Sequence, residues 1–151
     1  MTTVACEEVI RSTPEALFDL TQDYRKRLAW DPFPESYEFH GTNQPATGAE
    51  LTVKARNGLR MRVKYVSFNR PRVAAIEMVR GPWFFKRFAG AWQFLAESPS
   101  VSRVSFKYSV EGRPSAIAPL LNRLLARSFE RHAKRRLSAL KRFVESGGAN
   151  A

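Results

Sequence analysis

Hydrophobic and polar residues change their spacing twice along the chain, and each change marks a boundary between kinds of structure. Residues 3 to 11 read as a first strand. Ser12-Thr13-Pro14-Glu15 then has the make-up of a helix start: Ser or Thr caps the end, Pro sits in the first turn, and Glu favours the positive pole. A short helix follows with Leu17, Leu20 and Tyr24 on one face. Trp30-Asp31-Pro32-Phe33-Pro34 ends helical structure, because each proline lacks a backbone donor and pushes the preceding residue toward extended geometry.

From about residue 35 to 111 the apolar period becomes two. Leu51, Val53 and Ala55 alternate with Thr52, Lys54 and Arg56, and Leu59, Met61, Val63 and Tyr65 with Arg60, Arg62 and Lys64. These are strands with one wet face. Directly opposed residues in an antiparallel pair point to the same side. A two-residue Asn57-Gly58 turn would set Val53 against Arg62 and mix the faces. A three-residue loop, Arg56-Asn57-Gly58, pairs Val53 with Met61 and Ala55 with Leu59, and puts Gly58 at the left-handed bulge position. Further strands are predicted at 72–80, 86–95 and 101–111, with turn signals at Arg70-Pro71, Gly81-Pro82 and Ser98-Pro99-Ser100. Phe88, Gly90, Trp92 and Phe94 share one face, as do Val104, Phe106, Tyr108 and Val110, so the inner surface is aromatic and Trp92 is expected to face inward.

Residues 115–146 are predicted as the longest helix, capped by Ser115 and ended by Gly147. At roughly 100° per residue, Ile117, Leu121, Leu125, His132, Ala139 and Phe143 fall on one stripe, with Arg136 near its edge. Arg123, Arg127, Arg131, Lys134 and Lys141 fall opposite and are expected to be exposed.

Composition narrows the picture. A chain of 151 residues with 44% hydrophobic content suits one domain, spanning 1–146, that buries roughly 70% of its unfolded surface. Residues 147–151 read as a flexible tail. Eighteen aromatic residues (eleven Phe, four Tyr, three Trp) exclude intrinsic disorder. One cysteine, Cys6, and two histidines cannot make a disulfide or a Cys/His zinc site, so no metal and no cofactor are expected. There is no signal-peptide pattern and no apolar run of spanning length, which reads as a soluble, cytoplasmic protein. Net charge is +11, distributed unevenly: residues 1–50 carry four Lys/Arg against nine Asp/Glu, and residues 51–151 carry 21 against five. A basic half attracts anionic membranes or nucleic acid, but with no nucleic-acid motif present a solvated face is the preferred account.

The order strand, two short helices, six-strand meander, long helix, together with Ser12-Thr13-Pro14-Glu15-Ala16-Leu17-Phe18-Asp19-Leu20, Trp30-Asp31-Pro32 and Gly90-Ala91-Trp92-Gln93-Phe94, resembles the START/Bet v 1-like (SRPBCC) superfamily. Within it, the resemblance is to the bacterial polyketide cyclase/dehydrase group. It implies an α+β helix-grip fold: a curved antiparallel sheet of about seven strands around the C-terminal helix, enclosing a cavity for lipids, sterols or polyketides. Its motifs are structural, so they speak to fold more than to activity.

The expected function is therefore binding of a small hydrophobic or amphiphilic ligand between sheet and helix. Met61, Tyr65, Met78, Trp92, Phe106, Tyr108, Leu125, Ser128, His132 and Arg136 are the candidate wall, although each is also accounted for by core packing. The alternative is an enzyme, a polyketide aromatase/cyclase or dehydratase, with His132 as acid or base and tyrosine hydroxyls orienting the chain. A catalytic triad is not assembled by these residues, and Cys6 reads as a small buried hydrophobe. A third reading uses the basic helix face against an anionic membrane or nucleic acid, the latter disfavoured. The segment 81–88, rich in aromatics and cations, suits a cavity lid, packing under the sheet end, or peripheral membrane contact. Monomer and homodimer both remain open.

Overall fold

In the computed structural model, which describes residues 2–147, the chain runs β1 (Thr2–Ile10), α1 (Pro14–Gln22), α2 (Tyr24–Trp30), β2 (Pro34–His40), β3 (Glu50–Ala55), β4 (Arg60–Asn69), β5 (Val73–Arg80), β6 (Phe85–Ser98), β7 (Val101–Gly112) and α3 (Ala118–Glu145). The expected tail lies outside the described residues from Gly148 onward. The seven strands form one antiparallel sheet in the order β1-β7-β6-β5-β4-β3-β2. The sheet is curved around α3, the helix-grip arrangement. Register shifts at Pro34/Ser36, Arg62/Val63, Tyr65/Ser67, Phe85/Arg87 and Ala96/Ser98 insert extra residues, and such bulges bend and twist a strand.

Local chemistry explains the helix starts. Thr13 caps α1, its Oγ1 accepting the Ala16 N–H at 3.2 Å. Asp23 caps α2, its Oδ1 accepting from Arg25 N at 3.0 Å and Lys26 N at 3.3 Å. Tyr24 therefore opens α2 instead of extending the first helix. The three-residue hairpin loop is present as expected: Val53 pairs with Met61, the Ala55 N–H reaches Leu59 O at 2.8 Å, and Gly58 has φ +92°.

Two expectations for the C-terminal helix are corrected. It begins at Ala118 with no side-chain cap, not at Ser115. Pro119 has no N–H to give Ser115 O, so that turn cannot be α-helical, and proline is accepted only in a helix's first turn. The buried face is Phe129, Ala133, Arg136, Leu137 and Leu140, roughly a quarter turn around the helix from the expected stripe. Ile117, Leu120 and Leu124 are more than half exposed, and these exposed apolar residues displace the apparent centre of the stripe. Arg136 sits in the middle of the packed face, not at its edge. Arg123, Arg127, Arg131 and Lys134 are exposed as expected, while Lys141 is half-buried and donates to Val9 O at 2.6 Å, tying α3 to β1. Gly147, φ +84°, follows the helix end as expected.

The core fills the concave side. Ile10, Leu17, Phe18, Leu51, Val104, Val110, Leu137 and Leu140 are essentially inaccessible, and Trp92 is 4% exposed. Each such side chain contributes about 1.5–3 kcal/mol by leaving water. The segment 81–88 divides: Phe85 and Phe88 are buried, Phe84 is half-buried, and Trp83 is 70% exposed. No described helix is long and apolar enough to cross a membrane.

Candidate functional site

Between the concave sheet and α3 lies a cavity offering about 130 Å³ to the centres of water-sized molecules, with about 1030 Å³ of atom-free space when its open mouth is counted. Period-two strands supply its wall: Met61, Val63 and Tyr65 from β4, Ala74 and Ile76 from β5, Phe88, Gly90 and Trp92 from β6, Phe106 and Tyr108 from β7. α3 contributes Leu125, Ser128, Phe129, His132 and Arg136. Gly90 keeps the space open, since a Cβ there would already touch the Tyr108 ring at 3.6 Å. Nine of the ten sequence-named residues are brought together. Met78 is the exception: it pairs with the lining residue Val63 but is not itself in the wall, and its side chain lies against Gly81.

The polar groups of the cavity centre on Asp31, which is 1% exposed. Arg136 donates to it from Nε at 3.1 Å to both oxygens and from Nη2 at 2.7 Å, and gives Nη1 to the Tyr108 hydroxyl at 2.6 Å. Asp31 Oδ1 also accepts the Phe33 N–H at 3.0 Å. A second buried guanidinium, Arg27, lies 4.0 Å away from Oδ2. Its Nε donates to Thr21 O at 2.8 Å, and its plane lies over the rings of Tyr24 (4.8 Å), Tyr37 and Trp92 (5.8 Å each). Burial disfavours both arginine cations, but the neighbouring phenols and Asp31 outweigh it, so both pKa values lie above the ordinary one.

A tyrosine chain runs beside these charges. Gln22 Nε2 donates to Thr21 Oγ1 at 3.1 Å, which leaves its Oε1 to accept the Tyr65 hydroxyl at 2.7 Å. Tyr65 has one proton and uses it there, so Tyr24, in close contact with the Tyr65 oxygen, is the donor of that pair. Burial holds the Tyr65, Tyr37 and Tyr108 phenols above their ordinary pKa, and all three remain protonated at neutral pH. The Tyr37 hydroxyl and Trp30 Nε1 are buried without a hydrogen-bond partner among the described residues.

His132 is half-buried on the α3 side, edge-on to Phe33 with ring centroids 5.1 Å apart. It has no hydrogen-bond partner among the described residues. A second hollow of about 190 Å³, lined by Arg56, Asn57, Arg135 and His132, adjoins the cavity there and shares five residues with it. Cys6 is buried, its thiol pushed up by burial and then by Glu130, which suits an inert side chain. His40 is outside the cavity, hydrogen-bonded to Thr52 Oγ1 at 2.7 Å.

Sequence reasoning missed Gln22, Tyr24, Arg27, Phe33 and Tyr37 as cavity residues and treated Asp31 only as part of a helix stop. One signal was present: Arg27 and Asp31 are spaced i, i+4 at the end of a short helix, where side chains meet on one face.

Asp31→Asn should cost about 3–5 kcal/mol in urea unfolding, because two buried cations lose the one formal countercharge they have among the described residues. Arg136→Met should cost less, since Arg27 is already within 4.0 Å of the stranded carboxylate. A pH effect follows from His132. Burial, then Arg136, Arg135 and Arg131, lower its pKa in the folded chain. Just below the unfolded value of about 6.5 the unfolded chain thus binds more protons, so this contribution to stability is complete above that pH and is lost as pH falls through the folded value. From pH 7.5 down to 5, roughly the histidine range, the unfolding midpoint of the parent should fall more steeply than that of His132→Gln.

Among curated proteins nothing matches the sequence. Solved structures do. The ZhuI aromatase/cyclase from Streptomyces sp. R1128 superposes with a TM-score of 0.80 at 12% identity, covering 97% of this chain and 98% of that one. A protein from Thermus thermophilus gives 0.78 at 19%, covering 97% and 99%. A START superfamily protein from Mycobacterium smegmatis gives 0.72 at 12%, covering 93% and 98%. At such identities the likeness concerns the fold. Residues 1–145 match the family described as polyketide cyclase / dehydrase and lipid transport, and the chain, carrying that family's fold around a cavity with a charged Asp31–Arg136 anchor, belongs to it.

Proposed function

We propose that the protein binds a small hydrophobic or amphiphilic ligand in the cavity between the sheet and α3. The observation that carries this reading is the apolar, aromatic wall around an open-mouthed space, kept clear by Gly90 and furnished with few polar groups. Each square ångström of ligand surface removed from water contributes about 25 cal/mol, and a small number of polar contacts suffices to set orientation. Native mass spectrometry of the purified protein identifies what copurifies.

One observation favours a second reading, polyketide cyclisation or dehydration in the same cavity. The Tyr65 and Tyr108 phenols on the strands and the half-buried His132 on α3, its pKa lowered by burial, line the same cavity, an acid–base set in outline. Product analysis with a linear polyketide separates the two: conversion that disappears in His132→Leu supports the enzyme, and unchanged substrate overturns it.

For the binding reading, uptake of the uncharged dye N-phenyl-1-naphthylamine should be saturable and insensitive to salt. Gly90→Leu, whose side chain would extend into the cavity, should weaken uptake by about tenfold or more, equivalent to about 1.4 kcal/mol or more, with little change in the unfolding midpoint. Equal uptake by the variant overturns cavity binding.

A further inference from the structure

The cavity carries an unbalanced charge. Among the described residues its lining holds two arginines and no carboxylate. Behind the wall, Asp31 is the one described acid in reach, and its oxygens already serve Arg136 and the Phe33 N–H. Arg27, 6% exposed, approaches that carboxylate no closer than 4.0 Å. Among the described residues its hydrogen bonding is confined to Nε, which leaves both Nη groups without an acceptor. The rings of Tyr24, Tyr37 and Trp92 attract the cation electrostatically, but a π-face does not replace an oxygen for a planar fork of N–H donors. With one buried carboxylate shared between two buried guanidiniums, one positive charge is left over; buried charge is costly unless it is paired, and a bound anion balances it.

A second, independent feature points to the same place. Tyr24 and Tyr65 use their protons within the chain that ends on Gln22, whereas the buried Tyr37 hydroxyl has no partner among the described residues and sits in the same wall, its ring 4.5 Å from that of Tyr24 and 5.8 Å from the Arg27 guanidinium. A forked cation and a free O–H donor on one wall match the two oxygens of a carboxylate. We infer that the ligand is an amphiphilic anion whose carboxylate, or an equivalent delocalised oxyanion, is held by Arg27 with Tyr37 as the second donor, its apolar body lying along the Trp92–Phe106–Phe88 wall. This rests on the cavity-binding reading and names the ligand class within it.

The test compares decanoate with decanamide, equal in length and differing in charge, as displacers of N-phenyl-1-naphthylamine from the full chain. 1-Naphthoate and 1-naphthamide form a parallel pair that tells an aromatic from an aliphatic body. At neutral pH at least one carboxylate should displace the dye about tenfold or more tightly than its amide. Arg27→Met should erase that preference while keeping amide binding, and Tyr37→Phe should reduce it by a smaller factor. Should Arg27→Met fail to fold, the acid-to-amide ratio in the parent and in Tyr37→Phe decides alone. Equal displacement by acid and amide, with dye uptake still blocked in Gly90→Leu, overturns the anion inference and leaves cavity binding standing. Dye uptake indifferent to Gly90→Leu overturns both. A preference for the carboxylate that survives Arg27→Met overturns the assignment to Arg27.

Discussion

A single carboxylate, Asp31, joins the parts that make the cavity. It closes α2, turns the chain into β2 by accepting the Phe33 N–H, and clamps the middle of α3 through Arg136, which in turn reaches the Tyr108 hydroxyl on β7. Four elements, α2 and β2 near the start of the chain and β7 and α3 near its end, are thus referenced to two oxygen atoms. Coulomb attraction alone does not justify such a pair, because removing both charges from water offsets most of it. Its contribution is geometric: hydrogen bonds to both carboxylate oxygens set α3 at one rotation, and that rotation decides which of its residues face the cavity.

This rotation is the part of the fold that the sequence does not disclose. Strand parity is legible because the period of two leaves only two choices, and Phe88, Trp92, Phe106 and Tyr108 take the same one without ambiguity. The three-residue loop is legible because only one turn length keeps Val53 and Met61 on a common face. A helix offers a continuum of faces instead, and Ile117, Leu120 and Leu124, apolar yet exposed, weigh as much in a periodicity as Ala133 or Leu137. Arg136 reads from sequence only as a residue near the edge of the apolar stripe; its partner lies 105 residues away, beyond any local pattern. Tyr37 is invisible for the same reason, and Arg27 shows only its i, i+4 spacing to Asp31: their neighbourhood forms when α2 and β2 meet, Arg27 lying over the rings of Tyr37 and Trp92.

The cavity also shows how one fold accommodates opposite requirements. Apolar side chains make most of the wall while buried charge stands among them, and the two coexist because aromatic rings flank the ions: Phe33, Trp92 and Phe106 lie 4.8–5.5 Å from the Arg136 guanidinium and line the cavity beside it. The shape of the space is thus set by side chains that also pack against the charges.

The start of α3 is held by fewer contacts than the rest of the helix. From Phe129 onward the helix is secured by packing, by the Asp31 clamp and by Lys141 on β1, whereas Ile117, Leu120 and Leu124 are more than half exposed, and the leading turns are tied through Leu121 against Gly112 and through Asn122, whose Oδ1 accepts the Gly112 N–H at 2.6 Å. Opening free energies in a folded chain track buried contacts, so these turns, next to the cavity residue Leu125, lose less on opening than the stretch that follows.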